Sequence, residues 1–171
     1  PILPNVDIGG GTTKLAVVDE GRIVGMAAVH IGGRLQVVDE RGRIVRLDPA
    51  GRHLAAEAGY QWKAGDRATR EEMTRVAEWM ADALISAIGK RPLPHAIEHL
   101  YLTDPIKDLG RIDGVMVSGG VGEYVYGRET REFGDMGKLL GSAIARRLEE
   151  GALPWPLLPP GECIRATAVG A

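Results

Sequence analysis

The segment Asp7-Ile8-Gly9-Gly10-Gly11-Thr12-Thr13 decides our interpretation, because it joins a short apolar strand to three glycines and two hydroxyls. Backbone without Cβ atoms can adopt positive φ, so successive N–H groups can point into one concavity and bind an anion. The hydroxyls of Thr12 and Thr13 can donate to phosphate oxygens, and the Asp7 carboxylate can hold Mg²⁺ through water. We therefore predict a phosphate-binding loop; the alternative is a glycine-rich hairpin turn.

A second glycine run, Ser118-Gly119-Gly120-Val121-Gly122-Glu123, follows the apolar stretch 112–118. We predict a strand there, followed by a glycine-rich segment whose backbone carries few side chains. Such backbone could lie against the adenine and ribose of a nucleotide, and Glu123 could accept a hydrogen bond from a ribose hydroxyl. The structural alternative is an ordinary strand-to-helix turn, which often uses glycine.

The composition is that of a globular domain, with 171 residues, 44% hydrophobic and 26% charged residues, and a net charge of -2. The length predicts one domain, and the small charge argues against nucleic acid as the main partner. The chain has no apolar run long enough for a membrane helix, and its first four residues do not resemble a signal peptide. The single cysteine, Cys163, excludes a disulfide framework. We therefore expect a cytoplasmic protein without a membrane partner.

Hydrophobic patterning predicts strands first and then alternating helices and strands. The first helix begins with a capping box at Thr69 and Glu72 and ends near Gly89, and the second covers 135–150 and is capped by Gly151. We predict a turn at 48–51 and strands at 6–8, 14–18, 22–29, 35–38, 43–47, 112–118 and 164–169. This order predicts an α/β domain with one mixed β-sheet packed with helices.

Three other motifs are weighed against simpler interpretations. Neither Gly-Lys pair in the chain fits a Walker loop, and the glycines at 120–122 do not complete a dinucleotide fingerprint. His95-Ala96-Ile97-Glu98-His99 matches the pattern of inverted zinc peptidases. It lies between Pro94 and Pro105, so a connecting helix on the surface is favoured over a zinc site.

The remaining aromatic and titratable residues are interpreted structurally. His30 and His53 stand alone in the sequence and indicate surface or packing roles. Tyr60 and Trp62 favour local packing over a partner surface. Cys163 is interpreted as a packing residue rather than a nucleophile.

The two glycine runs together resemble the actin, heat-shock chaperone and sugar kinase superfamily, in which two lobes clamp ATP. The first run resembles the phosphate loop of the second lobe, the second run resembles the adenosine loop, and 165–171 resembles the stretch before a connecting helix. The resemblance implies an actin-like, ribonuclease H-like ATPase lobe that binds ATP or ADP with Mg²⁺. Asp7 would lie near the metal, Gly9, Gly10, Gly11, Thr12 and Thr13 would hold phosphates, and Gly119, Gly120 and Glu123 would border adenosine.

Four blocks narrow the match: 5–12, 29–35, 118–123 and 164–167. Together they resemble the EutA family of reactivating factors for ethanolamine ammonia-lyase, over 5–171. The resemblance implies a chaperone-like role in ethanolamine utilization, with the lyase as partner and a possible bacterial microcompartment location. Such factors use ATP to exchange damaged cobalamin for adenosylcobalamin on the lyase.

Members of that family are more than twice as long as this chain. The resemblance therefore implies that 1–171 is a single domain, part of a second lobe, with weak nucleotide binding, negligible hydrolysis and no catalytic residue of its own. Two alternatives remain open. One is a lobe of a small-molecule kinase, which needs a carboxylate base near the acceptor hydroxyl. The other is an actin-like interaction module whose glycine loops are structural.

Overall fold

The computed structural model describes residues 1–160, and the predicted strand at 164–169 and Cys163 lie outside this range. The strands are β1 Ile2–Ile8, β2 Thr13–Asp19, β3 Arg22–Val29, β4 Gln36–Val38, β5 Ile44–Leu47 and β6 Met116–Ser118. The helices are α1 Pro49–Glu57, α2 Arg70–Gly89, α3 Gly119–Val125, α4 Gly137–Glu149 and the 3-10 helix η1 His95–Leu100.

The main sheet has the strand order β3-β2-β1-β6, and β4 pairs separately with β5. The first three strands form an antiparallel meander, whose β2–β3 turn has positive φ at Glu20 and Gly21. That conformation matches the twist of a two-residue hairpin. β6 instead runs parallel to β1, with Asp7 opposite Ser118. The prediction of a mixed sheet packed with helices is confirmed, but the expectation of one sheet is wrong, because β4 and β5 pair only with each other.

The helix α2 begins at the predicted capping box. The Thr69 hydroxyl accepts from the Glu72 amide at 3.1 Å, and the Glu72 carboxylate accepts from the Thr69 amide at 2.8 Å. The two bonds satisfy two backbone donors that the first helical turn leaves unpaired. The predicted apolar face is buried, as Met73, Val76, Ala77, Met80, Leu84, Ala87 and Ile88.

The helix α4 packs against α2 through an ion-pair cluster as well as apolar contacts. Arg147 of α4 donates to Asp82 of α2 at 2.7 Å and also pairs with Glu78. These bonds raise the pKa of Arg147, with the Asp82 hydrogen bond as the largest cause. Gly151 has φ +79 just after α4, as expected for the predicted cap.

Two predicted elements differ from the structure. The expected turn at 48–51 is the start of α1: Asp48 is the extended N-cap and Pro49 the first helical residue. Proline suits this position because its φ is fixed near the helical value and its missing N–H would have had no partner. The expected strand at 112–118 is reduced to β6, and Val115 forms only an isolated bridge with Leu157.

The main core lies between the sheet and the helices α2 and α4. A small space between them is lined by Val6 and Val117 from the sheet, Leu84 and Ile88 from α2 and Ile144 from α4. Within the described residues, no helix is both long enough and apolar enough to cross a membrane. Because β1 and β6 run parallel, their carboxyl ends meet at one edge of the packed α/β layer.

Candidate functional site

The two glycine runs are brought together because β1 and β6 are parallel neighbours. A Cβ atom on Gly119 would lie 2.4 Å from the Ile8 carbonyl oxygen and 2.5 Å from an Asp7 carboxylate oxygen. Gly119 also has φ +82, a conformation that favours glycine. The close approach of α3 to the end of β1 therefore requires glycine at this position.

A cavity of ≈ 280 Å³ opens where the two runs meet. Four of the predicted site residues line it, namely Gly9, Gly10, Gly120 and Glu123. Its other lining residues were not predicted for the site, and they are Gly33, Arg34, Val121, Tyr124, Glu129, Phe133, Asp135 and Gly137. An open pocket with apolar walls and a few polar groups is the usual form of a small-molecule site.

The loop after β1 is held by its own backbone and by residues 33–34. The Gly9 amide donates to the Thr12 carbonyl at 3.0 Å, and the amides of Gly33 and Arg34 donate to the carbonyls of Gly9 and Gly10 at 2.9 and 2.8 Å. Within residues 1–160, the amides of Gly10, Gly11 and Thr12 have no hydrogen-bond acceptor. Three consecutive amides without an acceptor can bind an anion.

The glycines of this loop do not have the positive φ values that we predicted. Among the residues described, left-handed glycines occur elsewhere, and Gly9, Gly10 and Gly11 are not among them. A Cβ atom on any of the three would meet no atom closer than 3.5 Å, which is ordinary contact. The packing of the described residues therefore does not require these three glycines. Close approach of a ligand would require them.

The other predicted residues are not among those that line the cavity. Thr13 is fully buried, and its hydroxyl donates to the Ile31 carbonyl at 2.8 Å, so this proton is already bound within the protein. Thr12 and Gly11 are half-buried in the loop, and Asp7 is half-buried at the carboxyl end of β1. Thr13 therefore holds the loop to the β3–β4 connection, whereas Asp7 lies beside Gly119.

The charges of the cavity walls are balanced in pairs. Three carboxylates each pair with an arginine: Glu123 with Arg128 at 2.9 Å, Glu129 with Arg131 at 3.0 Å, and Asp135 with Arg34 at 3.2 Å. The side-chain hydrogen bond from Arg131 is the largest cause that lowers the pKa of Glu129 to about 2. Glu129 is therefore ionised at neutral pH, and the arginines offset the repulsion that bare carboxylates would exert on an anionic ligand.

Arg34 is the cation of the wall that the sequence analysis missed. Its signal was the pair Gly32-Gly33, which follows β3 as the first glycine run follows β1. Gly32 permits close packing, since its Cβ atom would lie 2.4 Å from the Gly10 carbonyl oxygen. Gly32 and Gly33 thus place Arg34 beside the candidate phosphate loop that follows β1.

The zinc-peptidase pattern is not realised. His95 lies on η1 with its side chain 98% exposed and pairs with Glu98 at 3.1 Å. His99 contacts His53 and Glu57 instead, so the interpretation of His53 as an isolated residue was wrong.

Tyr60 and Trp62 stack with ring centroids 5.8 Å apart, and Trp62 is buried, which confirms local packing.

Comparisons with known proteins identify the family. The family model for the ethanolamine utilisation protein EutA matches residues 2–171. The chain is 31% identical, over 98% of its length, to ethanolamine ammonia-lyase reactivase EutA of Salmonella typhimurium, and equally to that of Escherichia coli. It spans 36% of the length of each of these curated relatives. No solved structure matches the chain at a significant level. The chain belongs to the EutA family of ethanolamine utilisation proteins.

Proposed function

We propose that this chain is the nucleotide-binding segment of a reactivating factor for ethanolamine ammonia-lyase. Two curated relatives carry the name of such a reactivase. The observation that carries the nucleotide proposal is the glycine cavity at the carboxyl ends of β1 and β6, next to a loop whose three amides lack an acceptor within residues 1–160. Crevices at the carboxyl ends of parallel strands are the usual ligand sites of α/β sheets.

The loop after β1 would hold the phosphates of ATP or ADP. The amides of Gly10, Gly11 and Thr12 are the donors, and Arg34 adds a positive charge at the wall. A phosphate chain on bare backbone also accounts for three glycines that the packing of the described residues does not require. Thr13 would act indirectly, through its bond to Ile31.

The Asp7 carboxylate suits a magnesium ion bound to those phosphates. Magnesium prefers oxygen ligands and keeps several of its waters, so one carboxylate beside the phosphate loop is sufficient. Asp7 lies at the end of β1, half-buried and next to Gly119. When bound, the ion would neutralise phosphate charge, and Asp7 would orient its water shell.

The start of α3 would form the adenosine side of the site. Gly120 offers bare backbone, because a Cβ atom built on it would have no neighbour within 4 Å. Tyr124 and Phe133 supply apolar surface on the same cavity, and Glu123 can accept from a ribose hydroxyl. Phe133 is half-exposed, as expected for a ring that a flat ligand would cover.

The wider activity is proposed by analogy with the curated relatives. The three-stranded meander and the crossover to parallel β6 support an actin-like lobe. In a two-lobed reactivase, ATP would bind the closed state more tightly than the open one and would therefore favour closure. This difference in ATP affinity between the two states would drive the release of damaged cobalamin from the lyase. Our proposal for these 171 residues is that they supply one face of the nucleotide site.

Calorimetric titration with Mg-ATP and Mg-ADP tests the nucleotide site. We compare the unaltered chain with Gly120→Ala, which places a methyl group in the cavity, and with Gly25→Ala on β3. Gly25 is a matched control because its Cβ atom would make only an ordinary contact, at 3.6 Å from Ile106. We expect weak binding that Gly120→Ala lowers roughly tenfold, which corresponds to about 1.4 kcal/mol.

Two results would contradict the proposal. One is equal affinity in all three proteins, and the other is no binding at millimolar nucleotide.

The reactivase role is tested separately, with lyase that holds an inactive cobalamin. Recovery of lyase activity with ATP, without a phosphorylated small molecule, supports a reactivase over a kinase, and formation of such a product would reverse that conclusion.

A further inference from the structure

Three metal-ligating side chains converge on the side of α1 that faces η1. His53 and Glu57 lie one turn apart on α1, and His99 lies on η1. The Nε2 atoms of His53 and His99 are 2.9 Å apart, and the Glu57 Oε1 atom is 3.3 Å from the first and 3.1 Å from the second. One atom of each side chain therefore points at a common position.

The spacing of these atoms is that of a metal-ligand set. Three atoms that bind one zinc ion tetrahedrally at about 2.0–2.1 Å lie about 3.3–3.4 Å from one another. The observed distances, 2.9, 3.1 and 3.3 Å, come close to this triangle, and the His53–His99 distance is the shortest. The two imidazole rings cross at 83°, so their nitrogens meet edge-on rather than by stacking.

Hydrogen bonds alone do not satisfy such a triangle. If both imidazoles donate to Glu57, two N–H groups oppose each other at 2.9 Å. If only one imidazole nitrogen carries a proton, the lone pair of the other faces the carboxylate at 3.1 or 3.3 Å. A cation bound to all three lone pairs removes both conflicts, because each atom then donates to the same ion.

We propose that His53, Glu57 and His99 bind a divalent transition metal ion, with zinc as the reference case. Two imidazoles and one carboxylate favour zinc, nickel, cobalt or copper over magnesium and calcium, which prefer all-oxygen sites. Three protein ligands leave a coordination position for water or another small ligand. The side chains of His53, Glu57 and His99 are 50%, 33% and 43% exposed, so an ion can enter from solvent.

The ion would tie together two segments that are distant in the sequence. His53 and His99 are 46 positions apart. None of the three residues lines the glycine cavity, so the proposed metal site and the nucleotide cavity share no lining residue. Its expected effect is to fasten η1 to α1, because an ion that binds only the folded state stabilises that state.

Zinc titration of the chain by calorimetry tests this proposal, with cobalt absorption spectra as the second measurement. We expect one zinc ion per chain and a tetrahedral-type cobalt spectrum. His99→Ala removes a ligand and should weaken zinc binding roughly tenfold or more. His95→Ala is the matched control, since it removes a histidine of the same helix that pairs with Glu98 outside the cluster.

The thermal midpoint gives an independent result, and zinc should raise it in the unaltered chain and in His95→Ala but not in His99→Ala. Glu57→Gln, which keeps the side-chain shape, supplies the comparison if His99→Ala fails to fold. Equal zinc affinity in the ligand variants and in His95→Ala would overturn the proposal. So would non-saturable binding or a stoichiometry other than one zinc ion per chain.

Discussion

Gly11 and Gly32 are both members of glycine runs, but the structure gives them different roles. A Cβ atom on Gly32 would lie 2.4 Å from the Gly10 carbonyl oxygen and 2.6 Å from the Gly11 amide nitrogen. Backbone atoms cannot move aside as a flexible side chain can. On Gly11 the nearest atom would be a Leu35 methyl carbon at 4.0 Å. Gly32 is therefore required by packing, and Gly11 is not.

Substitution of each glycine by alanine separates the two roles. We expect Gly32→Ala to lower the free energy of unfolding by about 1–3 kcal/mol, because it forces two backbone segments apart. Gly11→Ala should leave stability unchanged or raise it by about 0.4–1 kcal/mol, because the unfolded chain loses freedom. Urea unfolding followed by circular dichroism measures both. Similar losses in the two variants would contradict the distinction.

At the scale of elements, α2 is the clearest case in which local sequence specifies structure. Its capping box, its buried face and its end at Gly89 are all readable from side-chain type and spacing. The reciprocal hydrogen bonds between Thr69 and Glu72 involve no residue that is distant in the sequence. Local rules are sufficient for such an element because its first turn is completed by its own side chains.

The contribution of this cap can be measured with two threonines of the same region. Thr69→Ala removes the acceptor for the Glu72 amide and should cost about 1 kcal/mol of unfolding free energy. Thr74→Ala is the control, because its hydroxyl donates to the Arg70 carbonyl within the helix and caps nothing. We expect Thr74→Ala to be neutral or slightly stabilising in thermal unfolding. A loss as large as that of Thr69→Ala would argue against the cap.

Elements with weaker local signals were predicted less well. The Asp48-Pro49 pair fits a turn as well as a helix start, and in the structure α1 begins at Pro49 and packs against Leu35. That packing is close, since a Cβ atom on Gly51 would lie 2.3 Å from the Leu35 carbonyl oxygen. Because the turn prediction hid α1, it also hid the pairing of His53 with His99. Tertiary contacts therefore add to the local preference of proline for a helix start in this segment.

At the scale of the whole molecule, the candidate site joins segments that no local pattern connects. The two glycine runs were predictable as loops, but their meeting depends on the parallel pairing of β1 with β6. Arg34 and Asp135 enter the site through a contact across 101 positions. Parallel pairing requires a long crossover connection, and nothing within either strand specifies its partner. Sequence reasoning therefore found four of the lining residues, Gly9, Gly10, Gly120 and Glu123, and missed the others.

This assembly of distant segments makes a prediction for hydrogen exchange. The amides of Gly10, Gly11 and Thr12 have no acceptor within residues 1–160, so they should exchange rapidly in the absence of ligand. Bound Mg-ADP would supply phosphate acceptors and should slow their exchange. The same addition should protect peptides that cover 32–36 and 118–124, because these segments border the same cavity.

Mass spectrometry of exchange with and without Mg-ADP measures all three segments in one experiment, and η1 provides the internal control. His95–Leu100 contributes no residue to the cavity, so its exchange should not change. Protection of only one glycine segment would show that the two runs do not form a joint site, and equal protection of η1 would indicate general stabilisation. Joint protection of the three cavity segments alone would tie nucleotide binding to the topology, because only the parallel β1–β6 pairing brings both glycine runs to one edge of the sheet.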